Sequence, residues 1–362
     1  MLLPVRVGLA PSAVFRGLNT LLREVVLASC SGRTVDESAL PYGLWTAAQA
    51  NPATDACFQA LAVAITALDD ECRYQLYLGV RSASSVKQLF TDPIAATQEI
   101  PEAVNVELKN LTAHLFKSSS TLAGITEACG ETVKDHYNRY SAIHPPGNGN
   151  VCGICATEYL AQRRSGVAAN DQWRAPYDHL LAKEKYPQFG IDPDNLMPIC
   201  HTCNSKAKLA KDLLHNLAGL RRTCFDPWTE SVQGQVSLQI DFQDISPIVT
   251  WVMAPLTPTN QNKLTTWDEV YRVKERVEGE FLTLQEKLAE DLDCRDLAAF
   301  KHSIVTKSRA RKQFERRTPF NYWRHLLYES LLRLADADLE QLRMLCYSTL
   351  DPNGDAATTY GI

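Results

Sequence analysis

The sequence predicts a mainly α protein carrying one small α+β unit. Three observations predict it. Apolar stripes at helical spacing fill both ends of the chain, a turn-rich middle segment concentrates cysteine, histidine and asparagine, and two-residue alternation is confined to one short stretch. The 362 residues suffice for two or three domains. With 45% hydrophobic and 22% charged residues, the chain can bury a core without disulfide staples.

Residues 1–142 read as a helical accessory or docking domain. Val14, Leu18, Leu21, Leu22, Val25 and Val26 repeat at helical spacing, as do Leu122, Ile125, Cys129, Val133, Tyr137 and Tyr140. No chemical motif interrupts them. The opening stretch has Arg6 inside its apolar run and no basic leader before a long apolar segment, so it is expected to be mature protein. His144–Asn150 is turn-rich and marks a boundary, giving a second unit over 143–223 and a third over 224–362.

In the third unit, Val236, Leu238, Ile240 and Phe242 alternate with Ser237, Gln239 and Asp241. This predicts a strand, paired as a hairpin with Ile248–Met253. Residues 254–266 read as a linker. Residues 267–348 read as helical, with Val277, Phe281, Leu284 and Leu288 on one face, and 351–362 as a loose tail.

Thirty-seven basic against 42 acidic residues give a net charge of −5, which argues against a protein that coats nucleic acid by bulk charge. No apolar run approaches the ~18 residues of a membrane span. The eleven cysteines are an odd number with no export signal, so reduced cytoplasmic thiols plus a metal site are expected rather than a disulfide framework.

Cys152-Gly-Ile-Cys155 and Cys200-His-Thr-Cys203 are two Cys-x-x-Cys pairs with 44 residues between them. Two residues between thiolates let one tight turn aim both sulfurs at one ion, and two such turns complete a tetrahedral Zn²⁺ site. Gly153 suits a tight knuckle. His201 lies inside a knuckle, but four cysteines already fill a closed structural site. The long gap requires a small structure inserted between the knuckles. That segment reads as a strand over Tyr177–Ala182, a turn-rich loop over Pro187–Asp194, a strand over Asn195–Ile199, and a helix from Asn204 with Ala207, Ala210, Leu213, Leu214 and Leu217 buried. Strand, loop, strand and helix make a ββα unit clamped by the knuckles.

Asp178-His179, then Asn195-Leu-Met-Pro-Ile-Cys200-His-Thr-Cys203-Asn204, resembles the His-Asn-His (HNH) nuclease family in its zinc-bearing branch. The resemblance covers about 60–70 residues, under a fifth of the chain. It departs from the name-giving pattern in having Asn204 where that pattern has histidine, an accepted variant. It implies a zinc-stabilised ββα-metal core and a metal-dependent endonuclease with catalytic residues His179, Asp178, Asn195 and Asn204. A neutral imidazole with a pKa of about 6.5 can take a proton from water at cellular pH, which makes His179 the expected general base. Asp178 faces the other side of its strand and would bind Mg²⁺ or Mn²⁺ with the Asn204 side-chain oxygen. By the resemblance, Asn195 holds the loop and orients the His179 ring. Lys206 and Lys208, on the first turn of the helix, are placed to meet phosphate. Lys183 and Lys185 read equally as phosphate contacts or solvated charges.

Residues 301–324 carry eight basic residues and one acid, with Phe314, Phe320, Tyr322 and Trp323 interleaved. Arg309, Arg311, Lys312, Arg316 and Arg317 are therefore candidate phosphate contacts and the aromatics candidate base platforms. A solvated helix face with Trp323 in the core is the competing reading. The run from Tyr177 to Asn204, with Phe225-Asp-Pro-Trp228 after it, also resembles the nuclease subunits that accompany ATPase partners in Septu-type antiphage systems. That likeness implies an ATPase partner docked on the N-terminal helices. DNA is the expected substrate. An RNase of the same fold acting on tRNA, and a non-catalytic zinc adaptor, remain open, because such a site reads a phosphodiester and not a base.

Overall fold

The computed structural model describes residues 2–161, 166–167, 177–243 and 246–350. The expected loose tail at 351–362 lies outside the described residues. The chain is mainly helical, with two separate two-stranded antiparallel sheets among the described residues. The N-terminal helices are α1 (Ala13–Ser31), α2 (Leu44–Gln49), α3 (Pro52–Thr66), α4 (Asp70–Ser82), α5 (Val86–Thr91), α6 (Glu102–Ser118), α7 (Ile125–Cys129) and α8 (Val133–Ser141). The first sheet pairs β1 (Tyr177–His179) with β2 (Leu196–Pro198), and the second pairs β3 (Val236–Gln243) with β4 (Ser246–Met253). The C-terminal helices are α9 (Pro258–Tyr271), α10 (Val273–Glu280), α11 (Leu284–Asp291), α12 (Leu297–Gln313), α13 (Asn321–Leu331) and α14 (Asp336–Leu350).

Local chemistry sets the helix ends. Ser12 caps α1 by accepting from Phe15 N, and Gly32 closes it in the left-handed conformation, φ 65°. The six apolar residues read as the α1 stripe are all buried. Ser85 with Gln88, and Thr132 with Asp135, form reciprocal capping boxes on α5 and α8. The second N-terminal stripe is divided: Gly130, φ 67°, ends α7, so Ile125 and Tyr137 lie on different helices.

Two expectations are corrected. Residues 254–266 are not all linker, because α9 starts at Pro258. Thr257 caps it by accepting from Asn260 N, and Pro258 occupies the first turn, where its missing N–H costs nothing. The helix expected from Asn204 to Leu217 is only the segment Thr202–Lys208. Leu209 turns to φ 52°, ψ −124°, which no helix continues, and Leu217 is fully exposed.

Two cores hold the chain. One gathers α1, α3, α6 and their neighbours, and takes Ile191 and Leu196 from the middle segment. The other gathers residues 2–9, α5, the cysteine knuckles, β3–β4 and the C-terminal helices, and takes Met197 and Ile199. The adjacent β2 residues Leu196 and Met197 thus point into different cores, as the two-residue pleat requires. The β1–β2 hairpin is pinned from both sides, and the site is built on it.

Candidate functional site

The four cysteines of the two knuckles converge. Their sulfurs lie within 4.8 Å of one another and all four residues are buried. Cys152 Sγ is 4.0 Å from Cys203 Sγ, and Cys155 Sγ is 3.8 Å from Cys200 Sγ. A tetrahedral site with metal–sulfur bonds of about 2.3 Å has sulfur–sulfur edges of about 3.8 Å, so the donor set fits Zn²⁺. Cys155 and Cys203 accept from Thr157 Oγ1 at 3.2 Å and Arg276 Nη2 at 3.3 Å. Backbone N–H groups of Cys200 and Cys203 donate to Cys152 and Cys200, each at 3.4 Å. Such bonds favour thiolates over thiols. His201 is exposed and takes no part in the cluster.

The first knuckle closes at Ala156, whose φ of 54° is rare for a residue with a β-carbon. The C-terminal helices hold it there. Trp323 Nε1 donates to Cys155 O at 2.8 Å and Trp267 Nε1 to Ile154 O at 3.1 Å. Leu3 N donates to Gly153 O at 2.9 Å from the other end of the chain. Sequence reading missed Arg276, Trp267 and Trp323, because nothing in their spacing relates them to the cysteines.

On β1, Asp178 and His179 face opposite ways. His179 is partly buried, and its Nε2 lies 2.8 Å from Gly190 O. A carbonyl only accepts, so Nε2 carries the proton and Nδ1 keeps its lone pair. Phe116 of α6 covers the ring, with centroids 4.4 Å apart, and Lys183 Nζ sits 5.5 Å from the Phe116 centroid. Burial, with Lys183 and Lys208 nearby, pulls the imidazole down to about 4 despite the Gly190 bond. The imidazole is therefore neutral across physiological pH, and its pKa is well below the 6.5 of a free histidine.

Asn195, fully buried, ties the loop to the hairpin. Its Oδ1 accepts from Leu181 N at 2.7 Å, and its Nδ2 donates to Leu181 O at 3.1 Å and Phe189 O at 2.9 Å. Because Phe189 precedes Gly190, the amide fixes the strand end and the carbonyl on which His179 hangs.

Asp178 is 3% exposed and faces Lys208, itself 2% exposed. Lys208 Nζ is 3.0 Å from Asp178 Oδ1 and donates to His179 O at 2.7 Å. Lys208 therefore does not meet phosphate at the surface as expected; it neutralises Asp178 inside. Burial still raises the Asp178 carboxyl above the ordinary range, with Lys208 opposing it. The other oxygen, Oδ2, is buried with no hydrogen-bond partner. Thr202–Lys208 is wound wide, with Leu209 N donating to Asn204 O at 3.1 Å. Asn204 lies on this segment and is half-buried. Lys206 is exposed, and Lys185 pairs with Asp212 at 2.6 Å.

The basic segment is largely spent on internal contacts. Arg311 donates to Asp291 at 2.6 and 2.9 Å, and Lys301 pairs with Asp336 at 2.6 Å. Arg316 donates to Asn148 Oδ1 at 2.7 Å and to Pro4 O at 2.8 Å, tying the two ends of the chain. Tyr322 and Trp323 are core residues, 4% and 0% exposed, so they are not base platforms. Arg311 and Arg316 are corrected to structural residues. Arg309 and Lys312 are exposed on α12, and Arg317 stacks 5.4 Å from the Phe314 centroid.

No family model, curated protein or solved structure matches the chain. No described helix is long and apolar enough to cross a membrane.

Proposed function

We propose that the chain is a metal-dependent HNH-type endonuclease that hydrolyses phosphodiester bonds in DNA, with His179 as general base. The observation that carries the reading is the 2.8 Å bond from His179 Nε2 to Gly190 O. It fixes one tautomer and leaves Nδ1 to take a proton from water. The water oxygen then bonds to phosphorus as the bond to the leaving oxygen breaks. Asn195 keeps the Gly190 carbonyl in place, and the cysteine clasp keeps β2 in register with β1.

The donors that would hold Mg²⁺ or Mn²⁺ are Asp178, through its unpartnered Oδ2, and Asn204, on the same segment as Lys208. When bound, such an ion supplies charge stabilisation for the phosphate and leaving oxygen. Lys183, beside the His179 ring over Phe116, and exposed Lys206 are the cations offered to the backbone, and Arg309 with Lys312 form a second surface. An ATPase partner, as in Septu-type systems, rests on the sequence likeness alone.

One observation favours a second reading, a non-catalytic zinc-held binding module: Lys208 already neutralises Asp178. Incubating the pure chain with plasmid and with tRNA, each with Mg²⁺, Mn²⁺ or chelator, separates the cases. Metal-dependent plasmid cutting abolished by His179→Ala, at unchanged melting temperature, supports the DNA nuclease. Cutting of tRNA alone makes it an RNase. No cutting of either under any condition supports the binding module.

A further inference from the structure

Helix α6 of the N-terminal segment bears on the hairpin site at two points. Thr112 and Phe116 are four residues apart, so they lie on one face of the helix. Thr112 packs on Gly190, where an added β-carbon would lie 2.8 Å from its side chain. Phe116 packs on His179, with ring centroids 4.4 Å apart. One helix face therefore supports both the imidazole and the residue whose carbonyl holds it.

The Phe116 ring is itself held from behind. Phe15, 1% exposed, stacks on it at 6.0 Å and meets Tyr177 of β1 edge-on at 5.4 Å. On the site side, Lys183 Nζ lies over the same ring, 5.5 Å from its centroid. The face of an aromatic ring attracts an ammonium through its quadrupole. It does so without supplying a negative charge. The neighbouring lysines are placed differently, since Lys185 pairs with Asp212 and Lys208 with Asp178. Lys183 is half-buried against a neutral partner, so its charge is kept for an anion that enters beside His179.

We infer that α6 completes the active site: Phe116 positions Lys183 beside His179, and Lys183 binds the phosphate that the water activated by His179 attacks. The catalytic clause rests on the nuclease reading; the phosphate seat made by Lys183 and Phe116 does not. Imidazole and ammonium share one ring as their support, so an anion held by the second is presented to the first. Lys183 gives up no proton. It faces a non-bridging oxygen while the water oxygen bonds to phosphorus and the water proton passes to His179 Nδ1. The leaving oxygen departs with the electron pair of its bond. An ammonium fixed there stabilises the charge that the phosphoryl oxygens carry through this step. The helices before residue 142 thereby supply a positioning residue to the chemistry.

The test uses the full chain in two assays. Calorimetry with thymidine 3′,5′-bisphosphate and chelator reads the seat, and single-turnover plasmid cutting with Mg²⁺ reads the chemistry. Lys183→Met should weaken bisphosphate binding roughly fivefold and slow cutting roughly tenfold. Lys183→Arg, which keeps the charge, and Phe116→Tyr, which keeps the ring, should retain both. Phe116→Leu should weaken binding in the native background and have little further effect once Lys183 is methionine, because the ring acts through the lysine. Lys117→Met, which removes an exposed charge next to Phe116, should bind as the native chain does. Absent binding, binding unaltered in Lys183→Met, or equal weakening by Lys117→Met overturns the seat. Losses from Phe116→Leu and Lys183→Met that add in full overturn the positioning role. Cutting unaltered in Lys183→Met overturns the catalytic clause. Lysine-dependent binding by a chain that cuts no plasmid upholds the seat and overturns the nuclease reading instead.

Discussion

Lys208 Nζ stands 3.0 Å from Asp178 Oδ1, with the two side chains 2% and 3% exposed. Lys208 also donates to His179 O, so one ammonium ties the segment after the second knuckle to β1. Removing one partner of such a pair leaves an uncompensated buried charge. Lys208→Met should destabilise the fold by about 3–5 kcal/mol in denaturant titrations. Adding Asp178→Asn should recover part of that loss. An unchanged midpoint in Lys208→Met would mean that the pair is not formed in solution.

The thiolate cluster should hold one zinc per chain. Cys200→Ser is expected to lose the metal and lower the melting temperature, because binding free energy at such a site is folding free energy. Arg276→Ala, which removes the donor to Cys203, should retain zinc but release it faster to a chelator. Atomic emission and a colorimetric chelator measure both. Full zinc retention in Cys200→Ser would refute the assignment.

Much of this was legible in the sequence, and what was not has physical causes. Cys-x-x-Cys spacing is a local geometric constraint, so the cluster could be read before any fold. Period-two alternation likewise announced the β3–β4 hairpin. Lys208 could not be read as buried, because its inward turn depends on the wide winding of Thr202–Lys208, which has no residue signature. Gly190 acts through a backbone carbonyl and Phe116 covers His179 from a distant helix, so neither leaves a pattern near the histidine. Thr257 and Pro258 fell within the stretch read as a linker, although the same residues start a helix.

The His179 imidazole should titrate near 4, as should that of His136, which burial also lowers to about 4. Both folded values lie below the unfolded value of about 6.5, so the unfolded state binds more protons between the two. Their contribution to stability is complete above pH ~6.5 and is lost as the pH falls towards 4. Histidine NMR titrations check this. A midpoint near 6.5 for His179 would show that Phe116 does not cover it.

Asn195→Ala removes three hydrogen bonds and leaves Leu181 and Phe189 backbone groups buried without partners. It should cost about 2–3 kcal/mol of stability. It should also lower the cleavage rate more than it weakens substrate binding. An effect on KM alone would contradict the role given to the loop.

Arg311→Ala should lower stability through Asp291, whereas Arg309→Ala should leave it unchanged and reduce the salt dependence of nucleic-acid binding. Thermal melts and salt-dependent binding isotherms separate the two, and the reverse pattern would restore Arg311 to the surface.

The account turns on whether His179, held at Nε2 by Gly190, activates water at Nδ1. Single-turnover cleavage of a plasmid with Mg²⁺ or Mn²⁺, comparing the native chain with a zinc-loaded, natively melting His179→Ala chain, measures this directly. The account predicts a rate at least a hundredfold lower in the variant. Equal rates in the two proteins would contradict it.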